Sequence, residues 1–191
     1  MVTRTSPNTP LHIYYHQSHE NLKVVDGNSN TTLYIINRSL TEPHLTILHA
    51  SSGSGKPTDM AGTVSMDDEP TDISLCFPDR EFKMTLHDRK ADVHWVAGPG
   101  IKWKWKHQYK KNEDLEAIDM ATGRWLAKFE IASSEFDKKG TIVLSEFMLL
   151  GQSELDVLVV TALARNEYDR RVRKKNREGV VHLGLKLEDM C

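Results

Sequence analysis

The stretch from Ser153 to Lys175, SELDVLVVTALARNEYDRRVRKK, limits the fold more than any other part of the chain. Leu155, Val157, Leu158, Val159, Val160, Ala162, Leu163 and Ala164 make its first half apolar, and its second half is charged. Acidic residues lead (Glu154, Asp156) and bases follow (Arg170 to Lys175), the order a helix dipole favours. Ser153 followed by Asp156 reads as a capping-box start with Asp in place of Glu. Leu155, Leu158 and Val159 share one helical face, while Val157, Val160 and Ala164 cover most of the remainder. A helix that is apolar all round must be surrounded. The apolar run is about ten residues, half of the ~20 needed to cross a bilayer, so the expectation is a helix inside a protein shell. A core strand competes, because Val157, Val159 and Val160 are β-branched. The caps and the charge pattern after Ala164 favour the helix.

Most of the chain before it reads as short strands. These are Leu11–His16, Thr32–Asn37, His44–His49, Met60–Met66, Thr71–Phe77, Glu81–Leu86, Asp92–Val96, Ile101–Lys106, Leu115–Asp119, Arg124–Ile131 and Thr141–Phe147. Turn clusters separate them: Asp26 to Asn30, Ser51 to Pro57, Asp67 to Pro70, Pro78-Asp79-Arg80, Gly98-Pro99-Gly100, Ala121-Thr122-Gly123 and Asp137 to Gly140. In IKWKWK the alternation is strict: Ile101, Trp103 and Trp105 point one way, Lys102, Lys104 and Lys106 the other. Many short strands can close on themselves and so remove their edges. A barrel that large has an interior too wide for its own side chains, and an apolar helix is a suitable plug. The expected fold is therefore mainly β, a closed antiparallel barrel of about twelve strands around a central C-terminal helix. Residues 1–10 read as a loose arm, 11–177 as the barrel with its helix at 153–175, and 178–191 as a tail. In that tail Val181, Leu183, Leu185 and Leu187 alternate, which suits one more strand.

The succession KKGTIVLSEFMLLGQSELDVLVVTALARNEYDRRVRKK resembles the last strand and central helix of fungal tubby-like domains. These stand with the LURP-one-related and phospholipid scramblase proteins in the tubby C-terminal superfamily. GPGIKWKWKH, LEAIDMATGRWLAKFE and the early LYIINRS and HLTILHAS stretches fit the same group, so the resemblance covers roughly Thr32 to Lys175. It implies a twelve-stranded barrel wrapped on a C-terminal hydrophobic helix. The group that the chain resembles is fungal. Tubby proteins proper bind phosphoinositides through basic residues on the barrel. That basic motif has no residue-by-residue match here, and the chain is shorter than a full tubby domain.

No catalytic constellation is readable. Gly53-Ser54-Gly55-Lys56 lacks the first Gly and the Ser/Thr of a phosphate loop, since Ala50 and Pro57 occupy those places. There is no GxSxG. His12, His16 and His19 read as surface histidines, and Asp67, Asp68, Glu69 and Asp72 as a solvated acidic turn without EF-hand spacing. Cys76 reads as a buried structural thiol, and His87, Asp88 and His94 have no readable partners. No cofactor or metal motif is present. The formal net charge of −2 excludes a global field toward nucleic acid. Two cysteines, Cys76 and Cys191, do not make a disulfide scaffold, and the first ten residues lack the apolar core of a secretory signal. These features suit a cytoplasmic protein, with a peripheral-membrane or nuclear place as alternatives.

Two basic clusters are the candidate anion- or lipid-binding residues. One is Lys102, Lys104 and Lys106 with Lys110 and Lys111; the other is Arg170, Arg171, Arg173 and Lys174, running on to Lys175 and Arg177. Each has a plainer explanation, a solvated strand face and a helix C-terminus complementing its own dipole. The leading functional expectation is a binding module for anionic phospholipid headgroups or a protein partner. The alternative is a small-ligand carrier or enzyme with its site in or at the mouth of the barrel.

Overall fold

A computed structural model describes residues 10–16, 21–51, 54–67, 72–88, 92–107, 114–132, 138–145 and 151–188, with the helix side chains described to residue 175. Twelve strands precede one helix: β1 Pro10–His16, β2 Asn21–Asp26, β3 Thr32–Arg38, β4 Leu45–Ala50, β5 Pro57–Met66, β6 Asp72–Cys76, β7 Glu81–Asp88, β8 Val93–Gly98, β9 Ile101–His107, β10 Leu115–Asp119, β11 Trp125–Ile131, β12 Lys138–Leu144 and α1 Gln152–Glu188. Each strand pairs antiparallel with its neighbours in sequence, and β1 closes the barrel against β12. The expected fold class is the observed one.

The alternation that suggested strands also decides what lies inside. Ile101, Trp103 and Trp105 point inward with Leu11, Ile13, Ile36, Ile47, Ile73, Leu75, Met84, Phe129 and Ile142. α1 fills the remaining space, and every residue from Val157 to Asp169 is buried. At about 1.5 Å per residue, the buried stretch from Leu155 to Asp169 spans roughly 22 Å. A seven-residue strand is roughly 23 Å long and, tilted as barrel strands are, rises less than that along the axis, so the buried stretch reaches from rim to rim. Gly62 on β5 permits a close approach to the helix, because a Cβ there would meet Val160 Cγ2 at 3.2 Å. Trp105 Nε1–H donates to Thr161 Oγ1 at 3.1 Å, satisfying the one polar atom of a fully buried indole.

Several expectations need correction. The backbone of α1 stays helical to Glu188, where the alternation at 181–187 suited a strand. A closed barrel offers a further strand no edge to pair with, and adding a turn to an existing helix costs little. The helix also begins one residue early. Leu155 N–H donates to the Gly151 carbonyl, so Ser153 and Asp156 form no capping box. β2 was not foreseen: Leu22 and Val24 are its clear inward residues, too few for a periodic signal. Lys138 to Gly140 read as a turn, but they pair with β1. Gly140 suits that ladder, since a Cβ there would stand 2.5 Å from the Glu130 carbonyl. Cys76 faces solvent, because Ile73 and Leu75 take the inward positions of β6. His19, Asp68, Glu69 and Cys191 lie outside the described residues.

Candidate anion-binding site

The helix enters the barrel at one rim and leaves at the other, and a polar group holds it at each. At the near rim Asp156 Oδ1 accepts from Tyr34 OH (2.8 Å), Gln152 Nε2 (2.8 Å) and His49 Nε2 (2.9 Å). Arg80 donates to the Ser153 carbonyl at 3.0 Å and also to its hydroxyl. The hydrogen bond to Asp156 raises the His49 pKa above its ordinary value against the opposing effect of burial.

At the far rim α1 turns from apolar to charged without leaving the barrel. Arg165 is fully buried, and its guanidinium is seated on Asp92 and Asp169. Its charge also lies 5.1 Å from the Tyr168 ring. Asp92 adopts a left-handed backbone (φ 49°), which Asp tolerates better than most residues, and this holds it at the rim before β8. His107, the last residue of β9, reaches Asp92 Oδ2 at 2.8 Å and Asp169 Oδ2 at 3.8 Å. Burial opposes ionisation of Asp92, but His107 and Arg165 outweigh it and bring its pKa to about 2. Burial dominates at Asp169 and holds its carboxyl above the usual range. His94 packs edge-on against Tyr168, and burial with the Arg165 charge brings its pKa to about 3, so it is neutral. Asp92, His107 and Asp169 place three ligand-type atoms within 4.8 Å of one another. Arg165 pairs with both carboxylates, so the cation that this cluster holds is the protein's own.

Two residues after Arg165, and so on the other side of the helix, Glu167 is buried among three arginines. Arg170 (2.5 and 2.9 Å), Arg171 (3.1 Å) and Arg38 (3.4 Å) all reach its carboxylate. Burial raises the Glu167 carboxyl, yet these partners win and it stands below the usual range. Three positive charges on one negative leave a surplus at the rim. Beside them is a pocket of about 430 Å³ lined by Ile131, Lys139, Asn166, Asp169, Arg170, Arg173 and Lys174. Lys139 is held below the ordinary lysine pKa by burial first, then by repulsion from Arg38, Arg173 and Arg170. The bases around Lys139 thus gather at this rim despite the overall charge of −2.

The structure thus divides the candidate residues. Arg170, Arg173 and Lys174 line the pocket, and Arg171 is turned to Glu167 and the Ser39 carbonyl. Lys102, Lys104 and Lys106 leave the wall of the barrel as expected, away from the pocket. Lys106 is met by Glu116 at 3.7 Å from the facing position on β10. Lys110 and Lys111 lie outside the described residues. Sequence reading missed Lys139, whose neighbours have turn composition, and Asn166 within the helix. It also missed the counterions Asp92, Glu167 and Asp169. The signal that was there is the i,i+4 spacing of Arg165 with Asp169 and of Glu167 with Arg171 inside a segment that must be enclosed.

No family model, curated protein or solved structure matches the chain. Among the described residues no helix is long and apolar enough to cross a membrane.

Proposed function

We propose that this barrel is a non-enzymatic binding module that recognises anionic phospholipid headgroups at its far rim, as a peripheral membrane protein. One observation carries the reading: Lys139, Arg170, Arg173 and Lys174 line a single pocket in which Lys139 is already repelled by its neighbours. A bound phosphate relieves that repulsion and accepts charge-assisted hydrogen bonds. The pocket's carboxylate, Asp169, is engaged by Arg165, which reduces its opposition to an anion. The central helix occupies the space that a small-ligand carrier would need, so an enclosed site inside the barrel has less support.

The test is sedimentation with vesicles of phosphatidylcholine alone, with phosphatidylserine and with a phosphoinositide, at low and physiological salt. The expected result is binding that needs the anionic lipid and weakens with salt. Replacing Lys139, Arg173 and Lys174 together by Gln should remove it, at roughly fivefold per charge. Wild-type binding in that variant rejects the pocket. No binding to any vesicle rejects the lipid reading and leaves a protein scaffold in front.

A further inference from the structure

We infer that the outer wall formed by β8 to β11 is the surface that lies against the membrane, with Trp95 and Trp125 entering the lipid interface. This rests on the lipid reading above, and it concerns a different face of the barrel.

Register places the residues. Across the outside of the sheet, Thr85 on β7 faces Trp95 on β8, Trp95 faces Lys104 on β9, Lys104 faces Ile118 on β10 and Ile118 faces Trp125 on β11. The next outward row toward the near rim holds Lys83, Ala97 and Lys102, and the Met120 N–H donates to the Lys102 carbonyl beside it. Two adjacent rows of one wall therefore interleave lysines with large apolar groups. The described residues expose five large apolar side chains, and three are on this wall: Trp95 (37%), Met120 (38%) and Trp125 (38%). Burial does not explain them, since alternation sends Trp103 and Trp105 into the core and these two tryptophans outward. The His87 ring is stacked on Trp95 with 3.5 Å between centroids, so the indole presents a fixed face.

Charge selects the occupant. Two acids near this wall are paired, Glu116 with Lys106 and Asp72 with Lys83 at 2.6 Å, and Asp119 accepts from Thr122 and the Ala121 N–H of its own turn. No carboxylate of a described residue stands within ion-pair distance of Lys102 or Lys104. Arg124 adds an exposed base next to Trp125. Tryptophans have an apolar body and one N–H donor, and they settle at the boundary of headgroup and acyl chain. Lysines among them meet lipid phosphate, and their stems cover apolar surface. An anionic bilayer surface supplies both complements.

The experiment uses the full chain with vesicles of phosphatidylcholine containing a minor fraction of phosphatidylserine, the phosphatidylcholine carrying bromine in its acyl chains. Trp103 and Trp105 are buried, so bromine quenching reports Trp95 and Trp125. We expect quenching on binding, lost in Trp95→Ser/Trp125→Ser, with affinity falling at least tenfold. Lys102→Gln/Lys104→Gln should lower affinity roughly thirtyfold and flatten the salt dependence. Both changes are at outward positions, and an unchanged thermal midpoint confirms that the barrel is intact. Wild type that binds without quenching, or a tryptophan variant that binds unchanged, overturns the wall while leaving the pocket standing. Quenching that survives Lys139→Gln/Arg173→Gln/Lys174→Gln with unchanged affinity upholds the wall and rejects the pocket. Wild type that binds no vesicle overturns both.

Discussion

Replacing Arg165 by Met gives the sharpest test of how the far rim is built. Met keeps much of the apolar stem and removes the charge. Two carboxylates then lose their partner, but unequally. Asp92 is 35% exposed and keeps His107 at 2.8 Å, so water and imidazole compensate it. Asp169 is 8% exposed, and its Oδ2 accepts no hydrogen bond, so it is left charged in a poor environment. Breaking a buried pair from one side costs about 3–5 kcal/mol, against about 0–1 kcal/mol for an exposed pair. With one of two carboxylates rescued, we expect a loss of about 3 kcal/mol, read by urea unfolding followed by tryptophan fluorescence. The deficit should depend on pH. Without Arg165 the folded Asp169 carboxyl rises further above its unfolded value. That group then costs stability as pH climbs through its folded pKa and costs nothing below its unfolded pKa. The variant should therefore be nearer wild type at pH 5 than at pH 8. Arg165→Met/Asp169→Asn should recover a large part of the loss, since it removes the stranded charge. A single variant that loses less than about 1 kcal/mol, or a double variant no better than the single, would refute the claim that Arg165 is a buried counterion.

Three further outcomes are expected. Leu158→Ala removes a fully buried side chain at the barrel centre and should cost about 2–5 kcal/mol in equilibrium unfolding; a cost under about half a kcal/mol would place the helix at the surface. His94, with a folded pKa near 3 against 6.5 unfolded, takes its proton first in the unfolded chain. Its contribution is complete above 6.5 and is lost as pH falls toward 3, so His94→Phe should flatten the acid limb of a stability–pH curve, and an unchanged limb would contradict the assignment. His49 has the opposite sign: its pKa is raised by Asp156, so its pairing stabilises the fold below about 6.5 and is lost as pH rises through the folded pKa. His49→Gln should then cost more at pH 5 than at pH 8, and an equal cost at both would remove the ion pair.

The fold was legible where one simple period ran unbroken. IKWKWK announced both a strand and its inward face, and LDVLVVTALA announced enclosure on all sides. Legibility failed where the tertiary structure overrode the local signal. Lys138 to Gly140 has turn composition, but closing the barrel requires β12 to pair with β1 there. The late alternation at 181–187 has strand period but no edge to join. The site was half legible. Arg170, Arg173 and Lys174 stood out as a basic run, while Lys139 comes from a strand with no sequence proximity to them. Cys76 shows the limit of residue-type priors, since the parity of β6 decided its direction.

The two rims also explain why a helix held mainly by apolar contacts has one axial position. The segment from Val157 to Ala164 is uniformly apolar apart from Thr161, so sliding it along the barrel changes its burial little. Sliding by one turn, about 5.4 Å, would bring either Asp156 or Arg165 toward the apolar centre. Each would leave its partners behind, at several kcal/mol per charge. Asp156 under Tyr34 and His49, and Arg165 between Asp92 and Asp169, thus fix the helix from opposite ends. That fixed position carries Asn166, Arg170, Arg173 and Lys174 to the height of Lys139 on β12. The two charges at the ends of the hydrophobic segment are therefore what aligns the basic pocket with the strand that completes it.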